Sequence, residues 1–443
     1  MAKTLTWIVG AVAVALGGAA ILRLTPSDES LEALMIEPEA VMAASTFSAA
    51  DQMMEELLVI TQGELYHEVT LFFATNRALS NDPAPDAPAD QFVARVGQLA
   101  YGTAIVTIPE NHEVGHLESQ GTIASFFADP SPLRHVILQS MTIQDEADVM
   151  ADIARVLEGD EQSTLFYIHG YNVGVETAAR RAGQLTYDLD WTGPSFFFSW
   201  PSGNSMDEYD EDQRRARASR VHLQEALETI AQTDTDRIVI ISHSMGTDLL
   251  TQALDFMGAA NSPALAKIET VVLAAPDIDS VYFESTIVPA IAKIRESHEK
   301  FNVTVYASED DSALWLSDVE NGEVRIGAMS DLTDAQIEAF KPVRMVDASL
   351  AKTNFFGHTY INDNPSVIGD VYCMLRNGPD SVRATLEGRP DPKEGPAFRI
   401  APKPVRDIEP TVGPDGTLDN TARRPHFVCE RKDDENAQGG TDR

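Results

Sequence analysis

From Thr164 onward the chain alternates between short apolar runs and amphipathic stretches. "TLFYIH", "SFFFSW", "RIVIIS", "TVVLAA", "NVTVYAS" and "VRMVDAS" are of strand length and apolar on successive residues. Between the first two, "GVETAARRAGQLTYDL" places Val175, Ala178, Ala179, Ala182 and Leu185 on one helical face. Further helices are predicted over roughly residues 210–233, 247–257 and 287–299. Strands that are apolar on both faces must be covered on both faces. Their alternation with helices therefore predicts an α/β fold with a mostly parallel central sheet and helices on either side. Upstream, from His67, "VTLFFATNR", "YGTAIVTIP" and "HVILQS" add strands around the loop-like "SNDPAPDAPAD". In such sheets ligands bind beyond the carboxyl ends of the strands, so the residues just after each strand are where chemistry is sought.

The two ends of the chain differ from this middle. Lys3 precedes an uncharged run from Thr4 to Leu22, closed by Arg23. As a helix it has about 19 residues, enough to span a hydrocarbon core. Two readings stay open: an uncleaved transmembrane anchor, or a secretory signal cleaved near Gly18-Ala19-Ala20. Both put the main domain outside the cytoplasm. Residues 25–64 form an acidic, Met/Ala-rich tether. After Arg376, nine of the chain's 24 prolines fall between Pro379 and Pro425, and the end is strongly charged. A Pro-rich acidic tail over 376–443 is therefore expected to be largely disordered. The only two cysteines, Cys373 and Cys429, lack metal-site spacing. They either pair in an oxidising compartment or stay as free thiols.

Among the strand ends, "IVIISHSMGTDLL" carries the first chemistry. Ser244 lies between a predicted strand and a predicted helix, with Gly246 two residues on and Ser242 two before. A nucleophile on a sharp strand-to-helix turn needs small neighbours, and the helix N-terminus favours developing negative charge. Two backbone N–H groups are candidates for an oxyanion hole: Met245, directly after the serine, and Tyr171 in "FYIHGYN", after an earlier strand. The base follows by elimination. His298 falls within a predicted helix and His426 within the Pro-rich tail, which leaves His358 in the "NFFGHTYIND" loop. For the acid, Asp311 in "VYASEDDSAL" is preferred over Glu309 and Asp310, with Asp277 in "LAAPDID" as the reserve. A plain structural role for Asp277 would be to cap the following helix.

These pieces together resemble a family of bacterial α/β-hydrolases of unknown function, DUF900, related to esterases and lipases. The matching segments are "FFATNR", "YGTAIVTIP", "FYIHGYNVGVETAARRAGQLTYDL", "FFFSWPS", "ISHSMG", "LAAPDID", "YASEDDSALWLS" and "FGHTYI", in order from about Val69 to Tyr372. The resemblance implies the α/β-hydrolase fold and a Ser244–Asp311–His358 triad. Ser242 stands where related sequences commonly have Ala or Gly, a departure that its small size accommodates. Trp200 and Pro201, after the "FFFS" strand, are either pocket-lining or simply packed.

Charge and composition narrow the rest. The 443 residues carry a formal net charge of −36, which repels phosphate backbones and argues against nucleic-acid binding. There is no glycine-rich phosphate loop or dinucleotide fingerprint, so no cofactor is expected. No metal site is expected either: His112 and His116 lie in a loop, and nothing fixes a cation geometry in "DEYDED". The sequence thus predicts a hydrolase domain over 65–375 behind a segment, 1–24, that anchors or exports it. Its location would be the inner membrane facing the periplasm, or outside the cell membrane if the segment is cleaved, with the membrane met through that segment and a small ester or acyl substrate. The predicted activity is carboxylic-ester hydrolysis through an acyl-enzyme. The same triad also serves lipases, thioesterases and peptidases, and a non-catalytic envelope binding protein is the rival of a different class.

Overall fold

The structure is a computed structural model; it describes residues 66–84, 87–119, 129–159, 161–308, 324–328, 332–349, 364–379, 386–388, 398–400, 427 and 429. The predicted membrane segment and tether, and most of the predicted tail, lie outside the described residues. Among the described residues no helix is long and apolar enough to cross a membrane.

Three antiparallel strands open the described part: β1 (Tyr66–Leu79), β2 (Phe92–Pro109) and β3 (Ile137–Gln144). After helix α1 (Glu146–Leu157) the alternation read from the sequence takes over. It runs β4 (Ser163–Ile168), α2 (Val175–Asp188), β5 (Ser195–Ser199), α3 (Tyr209–Ile230), β6 (Arg237–His243), α4 (Met245–Ala260) and β7 (Ile268–Ala274). A continuous helical run from Ser280 ends in α5 (Val288–Ser297), followed by β8 (Asn302–Ala307), α6 (Asp334–Ala339), β9 (Arg344–Asp347) and α7 (Pro365–Asn377). Two short strands close the sequence, β10 (Leu386–Gly388) and β11 (Phe398–Ile400). All eleven strands form one sheet in the order β10-β11-β9-β8-β7-β6-β4-β5-β1-β2-β3, parallel from β11 to β1.

The apolar runs explain why the centre is parallel. Successive side chains along a strand point to opposite faces. Phe166, Ile168, Phe196, Phe198, Ile238 and Ile240 enter one core, with residues of α1, α3, α4 and α5. Leu165, Tyr167, Phe197, Val239 and Ile241 enter the other, with residues of α2 and α7. All five apolar positions predicted for α2 are buried there. Each fully buried side chain of this size contributes about 1.5–3 kcal/mol, so neither face tolerates a polar strand.

The tail departs in part from expectation. β11 pairs parallel to β9, through Phe398↔Val346 and Arg399↔Asp347, and β10 pairs with β11. The unpaired backbone at the edge of β9 accepts a strand whatever the surrounding proline content, because the ladder is a main-chain interaction. Cys373 in α7 and Cys429 form a disulfide, 56 residues apart, and the Phe427 ring lies 5.1 Å from that of Tyr372. The tail is thus tied back to the hydrolase domain at these points.

His112 is not a surface loop histidine. Its Nδ1 lies 2.8 Å from Glu118 Oε2 and its Nε2 2.9 Å from Asp188 Oδ1, at the end of α2. His116 is exposed, and its Nδ1 lies 3.3 Å from Glu118 Oε1. Burial opposes a charge on His112, but hydrogen bonds to Asp188 and Glu118, together with their charges, outweigh it and raise the imidazole to about 9. A group raised in the folded state stabilises fully below its unfolded pKa, about 6.5, and loses that contribution as pH rises through about 9. In urea unfolding, the stability difference between wild type and His112→Gln should therefore shrink between pH 7 and 10. A difference that stays constant over that range would contradict the charged His112.

Candidate active site

Ser244 links β6 to α4 in a conformation that side chains rarely adopt, φ 52° and ψ −130°. Such a residue costs of order 1–3 kcal/mol and persists only where its surroundings hold it. Here its N–H donates to the Ala274 carbonyl on β7 (2.9 Å), and its carbonyl accepts from the Thr247 N–H and hydroxyl (2.9 and 2.6 Å). The turn is pressed against the end of β4. A Cβ on Gly246 would lie 2.3 Å from the His169 carbonyl oxygen, and one on Gly170 would lie 2.7 Å from the Ser244 Cβ. Both positions therefore exclude any side chain.

Ser242, at the end of β6, is fully buried between Ile168 and Leu273 on the neighbouring strands. Among the described residues its hydroxyl has no hydrogen-bond partner. It serves as a small residue, and its hydroxyl is a liability.

The turn after β4 is held from beneath by a chain of hydrogen bonds. Arg77, at the end of the apolar part of β1, donates from Nε to Ser199 Oγ (2.9 Å), and Ser199 lies 3.4 Å from His169 Nε2. His169 Nδ1 then donates to the Gly170 carbonyl (2.8 Å). In a trans peptide the C=O and N–H point opposite ways. Fixing the Gly170 carbonyl toward the imidazole thus turns the Tyr171 N–H away from it. Burial, reinforced by the Arg77 charge, pulls the His169 imidazole down to about 3, so the ring is neutral and its tautomer is set.

Trp200 completes this support. It stacks on His169 (centroids 5.0 Å apart, 13° between planes) and donates its indole N–H to the His169 carbonyl (2.8 Å). It is fully buried, so the packed reading applies.

Arg77 also donates to the Ser202 and Val173 carbonyls (both 2.9 Å). Buried Asp212 accepts from Ser202 Oγ (2.5 Å), the Gly203 N–H (2.9 Å) and Arg215 (2.9 Å). Burial lowers the Arg77 guanidinium to about 9, opposed by Asp212. The acidic "DEYDED" stretch is thus engaged internally: Asp212 and Glu208 with Arg215, and Glu211 with Arg214.

Of the proposed oxyanion donors, Met245 opens α4 and Tyr171 follows Gly170, with its ring 5.3 Å from that of Tyr209. Asp277 is buried just after β7. It accepts from the Tyr209 hydroxyl (2.7 Å) and lies 3.4 Å from Arg325 Nε. It does not cap the next helix. Asp279 does so, accepting from the Tyr282 N–H at 2.6 Å, because it sits directly before the first helical turn. His298 lies at the C-terminal end of α5, just past its last turn, and its ring is partly exposed. Asp311 and His358, with Glu309 and Asp310, lie outside the described residues. The strands that lead to them end at Ala307 and Asp347, β8 beside β7 and β9 beside β8.

Residues 145–376 match the model of a family described as an alpha/beta hydrolase of unknown function, DUF900. The chain belongs to this family. The β1–β3 meander precedes the matched region. No curated protein matches the chain. Solved structures that do include a predicted CIB-like hydrolase from Thermoplasma acidophilum, at 14% identity, TM-score 0.31, covering 49% of this chain and 88% of that one. An esterase from Pyrobaculum calidifontis gives 10%, 0.31, 54% and 94%. Esterase B from Lactobacillus rhamnosis, with a tributyrin phosphonate, gives 10%, 0.33, 78% and 96%. At such TM-scores the fold rests on the family match and the sheet topology, not on these overlays.

The two small residues before and after Ser244 should respond differently. Ser242→Ala removes an unpartnered buried hydroxyl and should leave stability unchanged or raise it by about 1 kcal/mol in urea unfolding. Gly246→Ala drives a Cβ into the β4 backbone and should cost about 1–3 kcal/mol. Destabilisation of Ser242→Ala to the same extent would mean that its hydroxyl is held.

Proposed function

We propose that the protein is a serine hydrolase of carboxylic esters or related acyl compounds, with Ser244 as nucleophile. The observation that carries this reading is the left-handed Ser244 between β6 and α4, packed on Gly170. A non-glycine residue held there at a steric cost is what a strained strand-to-helix nucleophile turn requires. In this reading His358 takes the proton from Ser244 Oγ as it attacks the acyl carbon, and Asp311 orients and stabilises the imidazolium. The Met245 and Tyr171 N–H groups hold the oxyanion; the support of the Gly170 peptide by His169, Ser199 and Arg77 favours that role for Tyr171. The alcohol leaves with the His358 proton, and water then releases the acid from the acyl-enzyme.

The same reading places the domain outside the cytoplasm, behind an N-terminal segment that anchors or exports it. The Cys373–Cys429 disulfide supports this, since such bonds persist mainly in oxidising compartments.

Hydrolysis of 4-nitrophenyl butyrate tests the assignment. Ser244→Ala and His358→Ala should each lower kcat/KM by about 10³-fold or more. Asp311→Asn should lower it far more than Asp277→Asn. Turnover that survives Ser244→Ala would overturn the nucleophile, and loss with Asp277→Asn alone would move the acid to Asp277. For location, the domain should be cleaved by protease added outside the inner membrane.

A further inference from the structure

A cavity of about 430 Å³ is lined by Met245, the residue after Ser244, together with residues of α3, α4 and the Asp277–Tyr282 turn. Asp248 and Gln252 lie one and two turns beyond Met245; Arg217, Asp277, Tyr282 and Arg325 also line it. A site for an aliphatic acyl chain would be lined by hydrocarbon. This one is lined by charge.

Within it, the charges are not equally satisfied. Asp248 accepts from Gln252 (2.8 Å), Asp277 from Tyr209 (2.7 Å) and Asp279 from the Tyr282 N–H (2.6 Å). The Arg325 side chain makes no hydrogen bond among the described residues. Only 6% exposed, it has a buried Nε without a hydrogen bond, and among the described residues its one ion pair, to Asp277, is 3.4 Å long. Its backbone is nonetheless fixed: Ile326 N–H donates to the Ile278 carbonyl, Gly327 N–H to that of Pro276, and Ser280 N–H to that of Val324. A rigidly placed, buried guanidinium whose Nε has only a long ion pair and no hydrogen bond costs free energy unless an acceptor arrives.

We propose that this cavity binds the acyl part of the substrate and that Arg325, in its wall, holds a carboxylate. The inference rests on Ser244 being the nucleophile. The acyl group stays on Ser244 through both chemical steps, so a cavity lined by Met245 lies beside it. A carboxylate matches the guanidinium fork with two parallel hydrogen bonds, and exposed Arg217 adds a second positive charge. Any anion meets the three aspartates of the wall, and a carboxylate brings half the charge of a dianionic phosphate into that field. A cationic group would meet carboxylates that already have donors, beside two arginines.

Three 4-nitrophenyl esters of similar length separate the possibilities: the monoester of adipic acid, the ester of hexanoic acid and that of 6-aminohexanoic acid. With the full chain at pH 7, and spontaneous hydrolysis subtracted, kcat/KM for the adipate should exceed that for the hexanoate at least tenfold. Arg325→Gln should bring the ratio to one or below. Arg325→Lys, which keeps the charge opposite Asp277 but loses the fork, should give an intermediate ratio, and it carries the test if the glutamine variant does not fold. An equal or higher rate on hexanoate, or a preference for 6-aminohexanoate, overturns the carboxylate assignment if a fluorophosphonate probe still labels Ser244. No labelling and no turnover of any ester by folded wild type overturns the nucleophile itself, and this inference with it.

Discussion

The close approach of two backbones at the carboxyl edge of the sheet governs this structure. Ser244 can keep its left-handed conformation only because Gly246 sits against the His169 carbonyl and Gly170 against Ser244 itself. Neither contact leaves room for a methyl group. β4 and β6 are neighbours in the sheet, paired from Ser163↔Arg237 to Ile168↔Ser242, so their ends arrive together in register. The strain at Ser244 is thus carried by the most buried part of the molecule, where packing density leaves few ways to relax it.

A second layer holds the turn that Ser244 rests on. Arg77, Ser199, His169 and the Gly170 carbonyl form one line of hydrogen bonds across β1, β5 and β4, and Trp200 closes it from the side. Asp212 supplies the opposite charge for Arg77 and Arg215 and ties in Ser202 and Gly203. A buried network of this kind gives little net stability over an apolar core, but removing one charged member costs about 3–5 kcal/mol. Its effect here is geometric: three strand ends and the start of the Tyr171 loop are fixed to one another.

Much of this was legible in the chain. The continuous apolar runs gave β4 to β9, and the spacing of Val175, Ala178, Ala179, Ala182 and Leu185 gave the buried face of α2. "HSMG" and "HGYN" marked both sides of the contact at Ser244. What local patterns did not carry was partnership. Asp212 was one acid of the "DEYDED" run, and Arg77 the end of a strand; that they are buried and share a network depends on residues more than a hundred positions apart. An arginine directly after "LFFATN" was the one available signal, since a charge ending an apolar strand needs a buried partner. β10 and β11 escaped because three-residue strands in Pro-rich sequence have no periodicity, and α7 because it was read only as the end of a domain. Capping falls to Asp279 rather than Asp277 because the helix starts at Ser280.

The central claim is that the strained serine, and not the other hydroxyls of the turn, is the reacting group. Mass spectrometry of the peptide spanning Arg237 to Leu250, after reaction of the full chain with a fluorophosphonate, tests this directly. The account predicts a single phosphonyl adduct, on Ser244. An adduct on Ser242 or Thr247, or none on a folded protein, would contradict it.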